Sequence, residues 1–280
     1  MGRVRIRLLN SHHEFRACER IQVVVWGHAG VSAELMNVTQ KYGGAILGAI
    51  VKGRVVGFIY AFLARRHGKL IHWSHLMAVE SEFRDLGLGF RMKLAHRKVA
   101  LAAGVSGICW TYDPLQSRNA ALNIGRLGAR VSEYLPNCYG RFQSDIEKGL
   151  ESDRFVADWR IRSAAVERRL PDDRTRKTQL ASFLNAERIN ETRLNAHGFP
   201  ENHGVRLNLR RPALLVEIPA ESDRMRAQSL NLARRWRLET RKIFQQYFRL
   251  GYRVEDFIPP SPASDKRCFY VLRRRRETTA

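Results

Sequence analysis

The sequence predicts an α/β fold in which helices flank a mixed β-sheet. Apolar runs of strand length alternate along the chain with amphipathic runs of helical spacing, and a glycine turn joins one such strand to one such helix near residue 85. The 280 residues are 44% hydrophobic, which is enough for one or two packed cores. We therefore expect a globular chain built around a sheet.

The first predicted elements are a helix and a hairpin. Apolar residues recur with helical spacing over residues 11–26, where Ser11 and Glu14 match a capping box. Two apolar runs follow at 45–51 and 55–63, joined by Lys-Gly-Arg, which is typical of a hairpin turn. Both runs are therefore predicted to be strands.

The central part of the chain reads as strand, turn and helix. Residues 70–79 form an apolar and aromatic run without Gly or Pro, which predicts a strand. Residues 90–104 follow with helical spacing and end at Gly104, and residues 105–112 predict the next strand. The alternation of strand side chains places Trp73, His75 and Met77 on one face of the first strand.

The turn between this strand and this helix is suited to binding an anion. Its sequence is Arg84-Asp85-Leu86-Gly87-Leu88-Gly89. The first backbone N–H groups of a helix have no intrahelical partner and lie at the positive end of the helix dipole. Glycines let a phosphate approach the backbone closely, although a Gly-x-Gly turn taken alone is also explained as a tight connection. The Gly-x-Gly-x-x-Gly pattern of dinucleotide-binding folds is absent.

The turn resembles the Arg/Gln-x-x-Gly-x-Gly/Ala signature of the GNAT acyltransferases, whose loop holds the pyrophosphate of an acyl-coenzyme A. Arg84, Gly87 and Gly89 fill its three places. The resemblance covers residues 10–162 and continues at 216–219 and 235–237. It implies a GNAT-type mixed sheet, acetyl-CoA or another acyl-CoA as co-substrate, and no metal. The implied coenzyme contacts are Met77, Ala78, Val79, Arg84, Asp85, Leu86, Gly87, Leu88, Gly89 and Asn119.

The same resemblance implies roles for the strand that precedes the loop. In relatives, the places of His75 and Trp73 point into the acceptor cleft, and a residue there relays the proton of the amine. His75 suits general-base work because the unperturbed pKa of histidine lies near neutrality. Backbone N–H groups of residues 77–79 would bind the pantetheine amide and the thioester oxygen. Asn119 would contact the pantetheine arm, or it caps the helix that it begins.

Two further catalytic candidates follow from position. Asp113 ends its predicted strand at the carboxyl edge, where it could anchor a cationic acceptor or orient His75. Many GNAT enzymes carry a Tyr four residues before the helix-ending glycine, as the acid for the leaving thiolate, but that position is Ile124. Tyr134, Tyr139 or water would then supply the proton, or the protein would bind the coenzyme without transfer. We take Tyr139 as the candidate acid.

Charge and cysteine content limit the remaining functions. The formal net charge is +22. Two interpretations stay open, namely an arginine-rich solvated surface and a polyanionic partner such as RNA. The four cysteines have no Cys-x-x-Cys spacing, which argues against a zinc site or a disulfide framework. Because no signal peptide or membrane-spanning run is visible, a cytoplasmic protein without membrane contact is expected.

The C-terminal part predicts more α/β structure. Strands are predicted at 130–135 and 155–161, which would complete a GNAT sheet, and the charged stretch 162–177 predicts a boundary. The expected domains are therefore residues 1–162, which bind acyl-CoA, and residues 163–280. In the second domain we expect a strand at 213–218, one long helix at 222–250, and strands at 252–258 and 268–272.

Residues 126–136 and 249–259 are similar to each other. Six of their eleven positions are identical, and each segment begins at the end of a predicted helix, at 120–127 and at 222–250. This indicates that the C-terminal domain is a degenerate half-copy of the GNAT unit, although a chance likeness stays open. Because it lacks Arg-x-x-Gly-x-Gly, the half-copy should hold no coenzyme. It would cover the acceptor cleft or form the contact of a homodimer.

The sequence thus predicts an acyl-CoA-dependent N-acyltransferase. The expected reaction moves an acetyl or related group from coenzyme A to a primary amine of a small molecule or peptide by direct attack. Two alternatives remain, a GNAT-fold transferase that uses aminoacyl-tRNA, which the positive charge favours, and a non-catalytic acyl-CoA-binding module, which Ile124 favours.

Overall fold

The structure is a computed structural model that describes residues 3–140, 149–170, 182–261, 264 and 266–274. The chain forms two compact units. The N-terminal unit comprises residues 1–110 and 159–163, and the C-terminal unit comprises 111–158 and 164–280. The domain boundary expected at 162/163 is drawn from where the family resemblance ends, and it stays a prediction.

The N-terminal unit is a β-sheet with helices on both faces. Its sheet has the order β1-β2-β3-β4-β5, with antiparallel neighbours except for the parallel pair β4/β5. Helix α3 is the crossover that a parallel pair requires. The elements are β1 Arg5–Leu8, α1 His12–Trp26, α2 Ala33–Lys41, β2 Ala45–Val51, β3 Arg54–Arg66, β4 Lys69–Val79, α3 Leu88–Ala102 and β5 Ile108–Tyr112.

The first helix begins as the sequence predicts, with one difference in its cap. The Ser11 hydroxyl accepts a hydrogen bond from the Glu14 N–H at 3.3 Å. The Glu14 carboxylate accepts from the Asn10 N–H at 3.0 Å, one residue earlier than in a standard capping box. The helix ends at Gly27, whose φ of 82° is a left-handed conformation.

Two apolar clusters cover the two faces of this sheet. One lies under α1 and α2 and includes Phe15, Met36, Phe58 and Ala78. The other lies under α3 and includes Leu47, Ile59, Leu88 and Met92. Strands β2 and β3 supply both clusters because successive side chains point to opposite faces. The predicted α/β class, a mixed sheet with helices on its faces, is confirmed.

The strands of the C-terminal unit have the order β7-β6-β12-β13-β11-β8. Its neighbours are antiparallel except for the parallel pair β11/β8, and β9 and β10 form a separate hairpin. The elements are α4 Ser117–Ala120, β6 Arg130–Leu135, β7 Arg154–Trp159, α5 Ala164–Arg169, β8 Glu187–Arg188, β9 Asn190–Leu194, β10 Pro200–Val205, β11 Ala213–Ile218, α6 Ser222–Gln228, α7 Leu230–Arg249, β12 Tyr252–Ile258 and β13 Cys268–Arg274.

Several predicted bounds are corrected. The single helix expected at 222–250 is two helices, because Ser229 has an extended backbone and its hydroxyl accepts from the Leu232 N–H at 3.2 Å, capping α7. Strand β5 begins at Ile108 rather than at residue 105. Elements β1, α2, α5, β8, β9 and β10 have no counterpart in the sequence prediction. Of the predicted boundary stretch, residues 171–177 lie outside the described residues.

No helix in the described part of the chain is long and apolar enough to cross a membrane.

The two similar segments are neighbouring strands. Val131 of β6 pairs antiparallel with Val254 of β12, and these two valines occupy the same place in the repeated segment. Each strand also makes a hairpin with its successor, and each hairpin has a register shift after the valine, between Val131 and Tyr134 and between Val254 and Asp256. An antiparallel strand pair has a local two-fold axis of its own, so this pairing suits an internal repeat without requiring one, and the repeat stays a prediction.

Candidate functional site

The glycine turn leads from β4 into α3 as the sequence predicts. Asp85 and Gly87 have positive φ angles of 63° and 69°, and Gly87 is the N-cap of α3 without a side-chain cap. A Cβ added at Gly87 would meet nothing within 4 Å, so the space beside this residue is open. The Arg84 Nε donates to the Val79 carbonyl at 3.2 Å, which ties the turn back to the end of β4.

The start of α3 presents backbone donors. The first backbone hydrogen bond of the helix runs from the Arg91 N–H to the Gly87 carbonyl, at 3.2 Å. The amides of Leu88 and Gly89 precede it and have no recorded acceptor among the residues described. Such groups, at the positive end of a helix 15 residues long, are the usual cradle of a phosphate.

Strand β4 contains a β-bulge at His75. Tyr60 of β3 pairs with Leu76 and Ala61 pairs with Ser74, so His75 is the extra residue. A bulge bends its strand and reverses the alternation of the side chains beyond it. Met77 consequently packs in the α3 cluster, and Leu76 packs in the cluster of α1 and α2. The prediction that Met77 shares a face with His75 is therefore wrong.

The pairing of β4 with β5 is short. The parallel register consists of His72 with Ile108 and Trp73 with Cys109, whereas β4 continues to Val79. On its other edge β4 stays paired with β3 throughout Met77, Ala78 and Val79. Within the described part of the N-terminal unit, the end of β4 that leads to the glycine turn therefore has one paired and one unpaired edge.

His75 is exposed on the bulge and lies against two aromatic rings. The imidazole centroid is 6.3 Å from that of Tyr60 and 6.1 Å from that of Phe62. Partial desolvation in this setting lowers the pKa of His75 below its ordinary value. The side chain is therefore mostly neutral at pH 7 and can accept a proton. Trp73, the other residue expected in the cleft, is half-buried.

Asp113 binds an arginine from the far end of the chain. Arg237 Nη1 and Nη2 donate to the two carboxylate oxygens of Asp113 at 2.6 and 2.5 Å. Burial by itself raises the pKa of Asp113, but the charge and hydrogen bonds of Arg237 hold it below the ordinary value. The cation that the Asp113 carboxylate binds in this structure is Arg237, and a role of Asp113 in catalysis stays a prediction. Sequence reasoning missed Arg237 because 124 residues separate the partners.

The two candidate tyrosines differ in access. Tyr134 is buried, and its hydroxyl donates to Asp153 at 2.6 Å. Tyr139 is 42% exposed, and its hydroxyl lies 2.8 Å from that of Thr111. Burial of its inner part raises the pKa of Tyr139, so the phenol stays protonated at neutral pH. Of the two, Tyr139 is the one that solvent and a substrate can reach.

The helix after β5 clarifies two further positions. Asn119 is exposed and is the third residue of α4, whose N-cap is Gln116, so the alternative that Asn119 caps this helix is wrong. Its coenzyme contact stays a prediction. Ile124 is fully buried in a π-helical turn, Ala121–Arg126, and thus lies in the core rather than on a surface.

A polar cluster lies buried beneath β4. Lys93 of α3 donates to the Ser74 hydroxyl at 3.1 Å, and its Nζ lies 3.7 Å from the Trp110 ring centroid. His72 Nδ1 and His96 Nε2 are 3.1 Å apart, and the second ring nitrogen of His96 has no partner among the described residues. Burial lowers the pKa of Lys93 to about 7 and lowers the pKa values of both histidines. None of these side chains was singled out from the sequence.

Solved structures similar to this chain include acetyltransferases. Neither the protein-family models nor the curated proteins include a match. The chain is similar to an acetyltransferase of the GNAT family from Streptococcus pneumoniae, at 14% identity and a TM-score of 0.46 over 56% of this chain and 98% of that one. It is also similar to Ard1 from Thermoplasma volcanium, at 20% identity and 0.43 over 55% and 95%. A third similar structure is the NatC complex bound to Gag peptide and CoA, at 14% identity and 0.45 over 56% and 98%.

Proposed function

We propose that this chain is an acyl-CoA-dependent N-acyltransferase of the GNAT type. The observation that carries the proposal is the continuous path from the bulged strand β4, through the open turn at Gly87, to the uncapped start of α3. Backbone donors at the helix start would bind the pyrophosphate of the coenzyme. The free edge of β4 at residues 77–79 would bind the pantetheine amide and the thioester oxygen.

The reaction would proceed by direct attack of a primary amine on the thioester. The amine nitrogen forms a bond to the carbonyl carbon, negative charge builds on the carbonyl oxygen, and the carbon–sulfur bond then breaks. The amine loses a proton to His75, which the lowered pKa keeps in its basic form at neutral pH. The leaving thiolate gains a proton, and Tyr139 stays our prediction for the acid.

Coenzyme binding can be tested with a matched pair of glycine variants. Gly87 in the turn and Gly53 in the β2–β3 hairpin both have positive φ, and a Cβ at either residue would meet nothing within 4 Å. Gly87→Ala and Gly53→Ala therefore carry a similar backbone cost. Acetyl-CoA should raise the melting temperature of the wild type and of Gly53→Ala by several degrees, and that of Gly87→Ala by less.

The same experiment defines the result that contradicts the proposal. If millimolar acetyl-CoA leaves the melting temperature of the folded wild type unchanged, the protein does not bind the coenzyme. An equal shift in both glycine variants would place the bound coenzyme elsewhere than at the turn.

An assay of product formation distinguishes an acyltransferase from a protein that only binds the coenzyme. The buried Ile124 favours a binding module, because the position of the usual acid lies in the core. Release of free coenzyme A thiol with a panel of amines and small peptides would establish transfer. Coenzyme binding without thiol release would favour the binding module.

The net charge of +22 favours the alternative of an aminoacyl-tRNA donor. Filter binding of tRNA at rising salt concentration would test it, since phosphate contacts give a steep dependence of affinity on salt. If tRNA binds tightly and in a salt-sensitive way, and if an aminoacyl group is transferred from it, the donor is aminoacyl-tRNA rather than acyl-CoA.

A further inference from the structure

The C-terminal unit contains a cavity that the transferase proposal does not use. Its volume is about 670 Å³, which lies in the range of sites for small molecules. Four arginines line it, namely Arg188, Arg193, Arg206 and Arg267, together with Glu187 and Glu191. Four guanidinium groups against two carboxylates leave the lining with an excess of positive charge.

Two of these arginines are held by acidic residues. Arg206 forms ion pairs with Glu187 at 2.9 Å and with Glu191 at 3.4 Å. Arg267 binds the buried carboxylate of Glu217. Fixed guanidinium groups are preorganised donors, because little side-chain entropy remains to be lost when a ligand binds.

The other two arginines have no counter-charge in the described part of the chain. Arg188 is half-buried, and its guanidinium lies over the Phe269 ring at 5.2 Å from the centroid, without an ion pair or a side-chain hydrogen bond. Arg193 is exposed and likewise unpaired. The Phe269 ring covers one face of the Arg188 guanidinium, and its N–H donors remain available to an anion in the cavity. Arg188 is therefore the lining arginine best placed to bind an anion.

The position of the cavity at the ends of two strands is a second observation. Strands β8 and β11 form a parallel pair, as β4 and β5 do in the N-terminal unit. Strand β11 is followed by helices and then by β12, the counterpart of β6. Arg267 precedes Cys268, which pairs with Ile218 at the carboxyl end of β11. The cavity thus lies where the carboxyl ends of β8 and β11 meet the β9/β10 hairpin.

We propose that this cavity binds a small molecule that carries a phosphate or diphosphate group, at a site separate from the glycine turn. Arginine matches phosphate oxygens with paired donors, and two unpaired guanidinium groups suit a doubly charged anion. A concave cavity that contains a half-buried arginine fits a compact ligand better than the backbone of a nucleic acid, which needs an extended basic surface.

Calorimetric titration with inorganic pyrophosphate tests the proposal. The proteins are the full chain, Arg188→Gln, and Arg210→Gln as a control, because Arg210 is an exposed arginine of the same unit that does not line the cavity. We expect pyrophosphate to bind the wild type and Arg210→Gln alike, and to bind Arg188→Gln at least about tenfold more weakly. If Arg188→Gln does not fold, Arg188→Lys serves instead, since it keeps the charge but loses the paired donors.

Binding at the glycine turn is distinguished in the same titration. Gly87→Ala should retain the Arg188-dependent binding of pyrophosphate, and Arg188→Gln should retain any thermal shift caused by acetyl-CoA. Loss of pyrophosphate binding in Gly87→Ala alone would overturn the proposal of a second site. So would binding of a single-stranded RNA oligonucleotide without binding of pyrophosphate. A failure of acetyl-CoA to bind would refute the transferase proposal and leave this one untouched.

Discussion

The buried lysine of α3 should make the stability of the protein depend on pH in a defined interval. Lys93 is almost completely buried, and its pKa falls from 10.5 to about 7. A lowering of that size corresponds to about 5 kcal/mol of differential free energy between folded and unfolded states. Burial is the larger influence on this pKa, while the face of the Trp110 ring favours the charged form and acts against it.

The sign follows from the protons bound in each state. Between the folded pKa and the unfolded pKa, the unfolded chain carries a proton on Lys93 that the folded chain lacks, so stability rises with pH. Below pH 7 both states are protonated, and the full cost of burying the charge is present. From pH 7 to pH 8.5 the free energy of unfolding should rise by about 1.5–2 kcal/mol through this residue alone.

Urea denaturation of three proteins measures this rise. Lys93→Met should remove the rise, whereas Lys98→Met, an exposed lysine of the same helix, should keep it. The Ser74 hydroxyl loses its donor in Lys93→Met, which costs about 1–3 kcal/mol at every pH, so the slope is the quantity to compare. Parallel pH profiles for the wild type and Lys93→Met would show that the lysine is not buried as described.

Three further predictions concern the ion pair, the buried histidines and the proposed base. Arg237→Met should lower the free energy of unfolding by about 3–5 kcal/mol in urea denaturation, because it leaves the Asp113 carboxylate buried without a partner. Adding Asp113→Asn should recover part of the loss. If the losses of the two single variants simply add in the double variant, the two residues are not coupled. The pKa of His96 is lowered, so below about pH 6.5 the unfolded state binds more protons and the free energy of unfolding should fall as the pH falls. In denaturation at pH 5–7, His96→Phe should reduce this dependence on pH. An unchanged dependence would exclude a role of His96. If the chain transfers acyl groups, His75→Gln should lower kcat by about 10²–10⁴-fold with little change in the KM for acetyl-CoA. It should also abolish the rise of kcat/KM with pH near the lowered pKa of His75. If the pH profile of kcat/KM is unaltered, another residue is the base.

The sequence by itself determined the features that depend on neighbouring residues. The strand, turn and helix around Gly87 follow from apolar spacing and from a backbone conformation that glycine adopts without strain. The Ser11 cap, the hairpin at Gly53 and the helix-ending glycines at 128 and 251 depend on equally local rules. For the same reason the loop proposed to hold the coenzyme could be located from the sequence.

Only the tertiary structure decided which distant residues meet. The bulge that turns His75 outward depends on the register between β3 and β4, which no local pattern specifies. Arg237 reaches Asp113 across 124 residues, and Lys93 is buried because Ser74 and Trp110 close over it. The arginine cavity likewise gathers residues from Arg188 to Arg267. Hydrophobic periodicity reports how one element faces the core, whereas the pairing of charges, rings and strand edges is set by packing between elements far apart in the chain.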